Sequence, residues 1–171
     1  MSNAESQLGL TVTHKRYVGH RDAFFLGGMV DGSFLMGLFG QVTAEICIRT
    51  DGDEGQFVGY SEVDFTAPVH PGDVLEVEGK LIRVGNTSRE MQFEARVLCR
   101  SRARLEDDAQ IRSTAAVVLD EPLVVARAVG TAVVPVERQK TYWPQPEAGE
   151  RWPGWGRRRR EERPDPAAEI E

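Results

Sequence analysis

The sequence is poor in several things, and each scarcity closes off a class of protein. Only two cysteines occur in 171 residues, Cys47 and Cys99. They lie far apart among apolar neighbours, so a disulfide framework, a C-x-x-C redox pair and a Cys/His metal cluster are all excluded. Two reduced, buried thiols in a cytoplasmic protein are expected instead. No apolar run approaches membrane-spanning length, and the first residues carry no apolar core of signal-peptide size. The opening Met1-Ser2-Asn3-Ala4 is given no structural weight. An excess of positive charge is also missing. The net charge is −6, with 21 Lys and Arg against 27 Asp and Glu, which argues against a general nucleic-acid binder. Tryptophan is absent from the first 142 residues, and helical periodicity is nearly absent outside one stretch.

That stretch runs from Gly27 to Gly55. Val30, Phe34, Leu38, Val42 and Ile46 recur every fourth residue, and Leu35 and Phe39 widen the stripe. The pattern predicts one amphipathic helix of about four turns, buried along most of its length. Asp31 is placed to cap its start, and Asp51-Gly52-Asp53 to turn the chain out of it. The remainder reads as strands. Leu8 to Val18 alternates roughly. Gln56 to Phe65 follows the helix, with Phe57, Val63 and Phe65 on one face. Val74 to Val84 alternates apolar and charged residues, as a strand with one wet face does. Gly85-Asn86 signals a hairpin, and Thr87 to Cys99 is the return strand. Arg100 to Gln110 reads as a charged loop. Ile111 to Leu119 and Leu123 to Val136 supply the last strands, interrupted by Asp120-Glu121-Pro122. His70, between Val69 and Pro71, reads as a turn residue.

After Val136 the character changes. All three tryptophans, Trp143, Trp152 and Trp155, lie here among prolines, followed by an arginine run from Arg157 to Arg160. The division expected is a folded domain over residues 1–136 and a largely disordered tail over 137–171. One long helix against an antiparallel sheet of about five to six strands is the hotdog architecture, an α+β fold. Its open sheet edge makes a homodimer or larger homo-oligomer the expected assembly.

The motifs HRDAFFLGGMVDG, FGQVTAEI, DGDEG, VDFTAPVHPGD and RVGNTSREMQFEA, in this order, resemble the hotdog-fold ammonia lyases that act on 3-aminoacyl-CoA thioesters. The resemblance covers roughly residues 20–95 and weakens toward Val134. Three positions depart from the family pattern: Phe24 stands in place of a histidine, Gly28 of an asparagine and Gln41 of an aspartate. The resemblance implies a lyase that adds or eliminates ammonia at the β-carbon of an acyl-CoA. Its substrate is the coenzyme A thioester, and no separate cofactor or metal is expected. A thioesterase or dehydratase of the same fold, and a non-catalytic thioester-binding module, stay open beside it.

Such chemistry needs donors for an enolate oxygen and groups that move protons. The amides at the start of the helix, near Asp31, Gly32 and Ser33, point their dipole the right way, and Gly32 allows close approach. Glu45, Asp31 and Asp22 are the candidate catalytic carboxylates. Glu45 lies beside the apolar stripe, where partial desolvation would raise its pKa. A surface pair with Arg49 at i+4 is an equal reading for it. Asp31 also fits a plain N-cap, and Asp22 with His20 a loop brace. His20, Gly28 and Gln41 are candidate substrate contacts. Thr87, Ser88 and Arg89, after the hairpin, are candidate coenzyme A contacts, with Arg89 meeting a phosphate; an ordinary polar hairpin is the alternative. Phe24, Phe25 and Met29 suggest a more apolar acyl pocket than a β-alanyl group needs.

Overall fold

The computed structural model describes residues 3–25, 27–105 and 114–139. The element order is α1 (Asn3–Ser6), β1 (Thr11–Tyr17), a 3-10 turn (His20–Asp22), α2 (Gly32–Asp51), β2 (Gln56–Phe65), β3 (Val74–Val84), β4 (Ser88–Ser101), α3 (Arg102–Leu105), β5 (Ala116–Val133) and a second 3-10 turn (Val136–Arg138). All five strands form one antiparallel sheet in the order β1-β3-β4-β5-β2. The sheet curls around α2, which gives the expected hotdog architecture.

The helix begins and ends where its capping residues require. Asp31 accepts the Ser33 amide at 2.7 Å, and Gly52 adopts the left-handed conformation that closes the C-terminus. At 20 residues it makes about 5.5 turns, more than the apolar stripe suggested. The last turn buries polar Thr50 and Asp51 and turns apolar Ile48 outward, so hydrophobic spacing does not register it. Leu35, Leu38, Phe39, Val42 and Ile46 meet the inward side chains of the sheet, and the Phe39 and Phe93 rings stack at 5.1 Å. Cys47 is buried, and its thiol is pushed up to about 12 by that burial; Cys99 is half-buried.

Several boundaries differ from the sequence reading. β1 starts at Thr11 rather than Leu8, and β4 runs on to Ser101. Asn3–Ser6 forms a helical turn against α2 with Ala4 buried, although the first four residues carry no pattern. Asp120-Glu121-Pro122 does not interrupt a strand. β5 passes straight through it, and the ladder absorbs the irregularity between the Val97–Leu123 and Cys99–Val118 pairs. Pro122 therefore sits where no ladder hydrogen bond is needed from it. Phe65 is not a core residue; it is 51% exposed, because β2 is an edge strand with two register shifts. The tail beyond Gln139, with the three tryptophans and the arginine run, and the start of the Ile111 segment lie outside the described residues.

Arg100, read as the start of a loop, closes β4 as a buried cation. It forks onto Asp73 at 3.0 and 2.8 Å and donates to the Pro68 carbonyl. At the opposite end of α2, Arg89 is 1% exposed and forks onto Asp51 at 2.8 and 2.6 Å. Thr50 donates to the same carboxylate at 2.7 Å. Each ion pair pins a loop or helix end to β4 where apolar packing alone has no preferred register.

Candidate active site

The start of α2 is the first part of the site. Of its leading amides, Ser33 N–H is taken by the Asp31 carboxylate and Phe34 N–H by the Asp31 carbonyl. Ser33 is thus unavailable as an oxyanion donor, contrary to the sequence reading. Among the described residues no acceptor meets the Gly32 amide. The Asp31 carboxyl is held below its usual value by these same bonds, Ser33 first, so Asp31 acts here as the cap. The ring of Phe65 lies directly on Gly32: a Cβ there would fall 2.6 to 3.0 Å from three ring carbons. A methyl at position 32 would therefore displace the Phe65 ring, a contact that the strand alternation concealed.

The loop ahead of the helix is held from outside. Val30 N–H donates to the Val69 carbonyl, and the His70 ring meets the Gly28 carbonyl at 3.2 Å. A carbonyl only accepts, so Nδ1 of His70 carries the proton. The His70 amide in turn donates to Asp73, the partner of Arg100. His70 thus joins the buried ion pair to the glycine turn and is more than a turn residue. Phe24 and Phe25 stack at 5.0 Å in this loop, exposed together with Met29. Asp22 accepts the Gly19 amide at 2.7 Å and faces Arg16 at 3.4 Å. It braces its own turn.

The second part of the site lies along the β1 side of α2. Ser33, Gly37, Gln41 and Glu45 follow each other at four-residue spacing on one helical stripe. Arg16, Ser33, Phe34, Gly37, Leu38 and Gln41 line a cavity of about 280 Å³. One turn beyond it, Glu45 accepts His14 Nε2 at 2.6 Å and the Arg49 guanidinium at 2.8 Å from Nε. These contacts, His14 first and Arg49 second, hold its carboxyl below the usual value and outweigh desolvation. The expected upward shift is reversed, because neighbouring donors matter more than partial burial on an open helix face. His14 carries no signal in the sequence; only the pairing of β1 with β3 turns it toward α2.

The two parts do not meet within one chain. Glu45 follows Gly32 by thirteen residues in one helix, which at the helical rise separates them by about 20 Å. The hairpin at Thr87 and Ser88 lies still farther off, at the C-terminal end of α2. There Arg89 also donates to the Gly85 and Ser88 carbonyls. Arg89 is enclosed and fully engaged, so it is not a phosphate contact, and the role expected for it from the sequence is overturned. Thr87 and Ser88 remain half-buried at the hairpin. Among the described residues no group of three His, Cys, Asp or Glu side chains could hold a metal, and no helix is long and apolar enough to cross a membrane.

The comparisons with known proteins agree with this fold. A model of the Thioesterase superfamily matches residues 27–100. The 3-aminobutyryl-CoA ammonia lyase of Acetoanaerobium sticklandii is 48% identical over 119 residues, 70% of this chain and 90% of that protein. The structure of β-alanyl-CoA:ammonia lyase from Clostridium propionicum superposes with a TM-score of 0.73 at 29% identity, covering 80% of this chain and 93% of that one. A hexameric hotdog-fold thioesterase of Campylobacter jejuni, at 21% identity and TM-score 0.57, shares the fold over 74% of this chain and 85% of its own. With nearly half of its aligned residues identical across almost the whole of a lyase relative, the chain belongs to the hotdog-fold family of the 3-aminoacyl-CoA ammonia lyases.

Proposed function

We propose that this protein is a carbon–nitrogen lyase that adds or removes ammonia at the β-carbon of a 3-aminoacyl-CoA. The observation that carries the reading is the 48% identity over 90% of a relative named for that reaction. In the eliminating direction a carboxylate takes the α-proton and the thioester oxygen carries the enolate charge. The Cβ–N bond then breaks, and the amine leaves with a proton as ammonia or ammonium. The product is an α,β-unsaturated thioester. Glu45 is the proposed base, kept ionised by His14 and Arg49, and the Gly32 amide the proposed oxyanion donor. The distance between them is bridged by a homo-oligomer, in which Gly32 of one copy and Glu45 of another face a single thioester. Gln41 and Ser33 line the cavity one turn short of Glu45, and Gly28 and His20, in the loop ahead of the helix, are the further proposed substrate contacts. Phe24, Phe25 and Met29, exposed beside Gly32, favour an acyl chain with an apolar end.

Incubating the protein with crotonyl-CoA and ammonium tests the reading. Formation of the 3-aminobutyryl adduct is expected. Release of free coenzyme A would replace the lyase by a thioesterase, the reading that the Thioesterase superfamily match favours second. Binding without turnover would leave a binding module.

The acid limb of kcat/KM gives a second expectation. Glu45 must be ionised in the free enzyme, and its pKa lies below the ordinary 4.5. The limb therefore falls below pH 4.5. His14→Ala removes the largest cause of the lowering, so its limb moves to higher pH. An unmoved limb would take Glu45 out of the rate-controlling ionisation.

A further inference from the structure

The chain has three histidines, and they are spent differently. His70 ends its Nδ1 on the Gly28 carbonyl and so braces a turn. His20 is exposed at the first 3-10 turn. Among the described residues His14 alone meets a carboxylate, with Nε2 at 2.6 Å from Oε2 of Glu45. That carboxylate is held from its other side as well. Arg49 donates to Oε1 from Nε at 2.8 Å, and a terminal nitrogen of the same guanidinium stands at 2.6 Å. An ionised carboxylate only accepts, so His14 presents Nε2–H to it, and Nδ1 is the ring atom left to gain or lose a proton. Nδ1 has no hydrogen-bond partner among the described residues, and it is not one of the enclosed unpaired atoms, so it opens to solvent. A brace would end its second nitrogen on a carbonyl, as His70 does. A ring nitrogen left open behind a carboxylate clamped by arginine is the arrangement of an oriented acid or base. His14 also shares the helix-facing side of β1 with Val12 and Arg16. Arg16 lines the cavity of about 280 Å³, as does Gln41 one helical turn before Glu45.

We infer that His14 is the proton donor to the departing nitrogen, working through Nδ1 while Glu45 takes the proton from Cα. The role rests on the lyase reading and supplies what that reading leaves open, the group that serves the amine. In the eliminating direction the substrate enters as its free amine and His14 as imidazolium. Glu45 takes the Cα proton, and the electron pair of that bond passes through the enolate into the new Cα–Cβ double bond. The Cβ–N pair leaves with the nitrogen, which takes the Nδ1 proton and departs as ammonia. The neutral ring keeps its Nε2 proton on the Glu45 side. The proton now on Glu45 returns to Nδ1 through water, which restores the pair. In the adding direction Nδ1 takes the proton that the attacking ammonia must lose, and Glu45 gives one to Cα.

His14→Gln tests this role. A glutamine amide can donate to Glu45 but cannot carry a proton to the nitrogen. Addition of ammonium to crotonyl-CoA is expected to fall about 10²- to 10⁴-fold, the usual contribution of a positioned acid–base group. Exchange of the α-protons of butyryl-CoA with heavy water, read by NMR, needs a base but no departing nitrogen. It is expected to stay close to the wild-type rate in His14→Gln and to vanish in Glu45→Gln. A parallel loss of addition and exchange in His14→Gln overturns the role, since His14 then acts only by holding Glu45. Addition at the wild-type rate in His14→Gln overturns the role alone and leaves the lyase reading standing. No adduct from the wild type overturns the lyase reading and the role with it. A measurement on the unaltered chain needs no variant to fold. In proton–nitrogen NMR spectra the neutral His14 ring is expected to hold its proton on Nε2, and a neutral ring protonated on Nδ1 overturns the role as well.

Discussion

Arg89→Ala is expected to destabilise the fold by about 3–5 kcal/mol, a loss that few single substitutions in a domain of this size would match. Arg89 and Asp51 are 1% and 3% exposed, and the guanidinium satisfies both carboxylate oxygens. Truncating it leaves the Asp51 carboxylate enclosed, with only Thr50 as a neutral side-chain donor among the described residues. The cost is that of a buried charge without its counter-ion, not the worth of the pair itself. It follows that the double change Arg89→Met/Asp51→Leu recovers most of the loss. Arg89→Lys falls between, because one ammonium cannot fork two oxygens. Urea unfolding midpoints check all three. A phosphate-binding Arg89 would behave in the opposite way, with an unshifted midpoint and a raised KM for the thioester.

Glu45→Gln is expected to lower kcat about 10²- to 10⁴-fold, the usual contribution of a positioned acid–base group, while coenzyme A binding persists. Glutamine keeps the volume and the hydrogen-bonding reach toward His14 and Arg49 but cannot take a proton. The side chain is 33% exposed, so the lost ion pairs cost about 1 kcal/mol or less. A fall in activity through unfolding is thereby distinguishable. The separation of about 20 Å from Gly32 adds a sharper expectation. Gly32→Ala drives a methyl into the Phe65 ring and should also lose activity. Oligomers assembled from a mixture of Glu45→Gln and Gly32→Ala chains should regain part of it, since some sites then draw each group from an intact copy. Mixed oligomers as dead as their parents would place both groups outside any shared site.

The same stretch shows why some residues are legible in one dimension and others are not. Asp31 and Gly52 can be placed as helix ends because capping is a local matter of one side chain and one amide. β2 and β3 can be bounded because alternation and turn residues are local as well. Glu45 can be singled out but not its state: the sign of its pKa shift depends on His14, thirty-one residues away, which reaches it only through the β1–β3 ladder. Phe65 misleads for a related reason. Alternation tells which residues share a face of a strand, not whether that strand has a neighbour to cover it.

Sequence by itself determined the helix with its caps, the bounds of β2 and β3 and, through five ordered motifs, the family. These rest on short-range spacing, which survives without a fold. Tertiary structure alone decided that Arg89 and Arg100 are buried locks and that Asp22 braces a turn. It also placed Arg16 of β1 beside the groove of α2. Each of these depends on which distant carboxylate a charge meets, and at low dielectric that partner, not the residue type, settles whether a charge binds substrate or holds the fold.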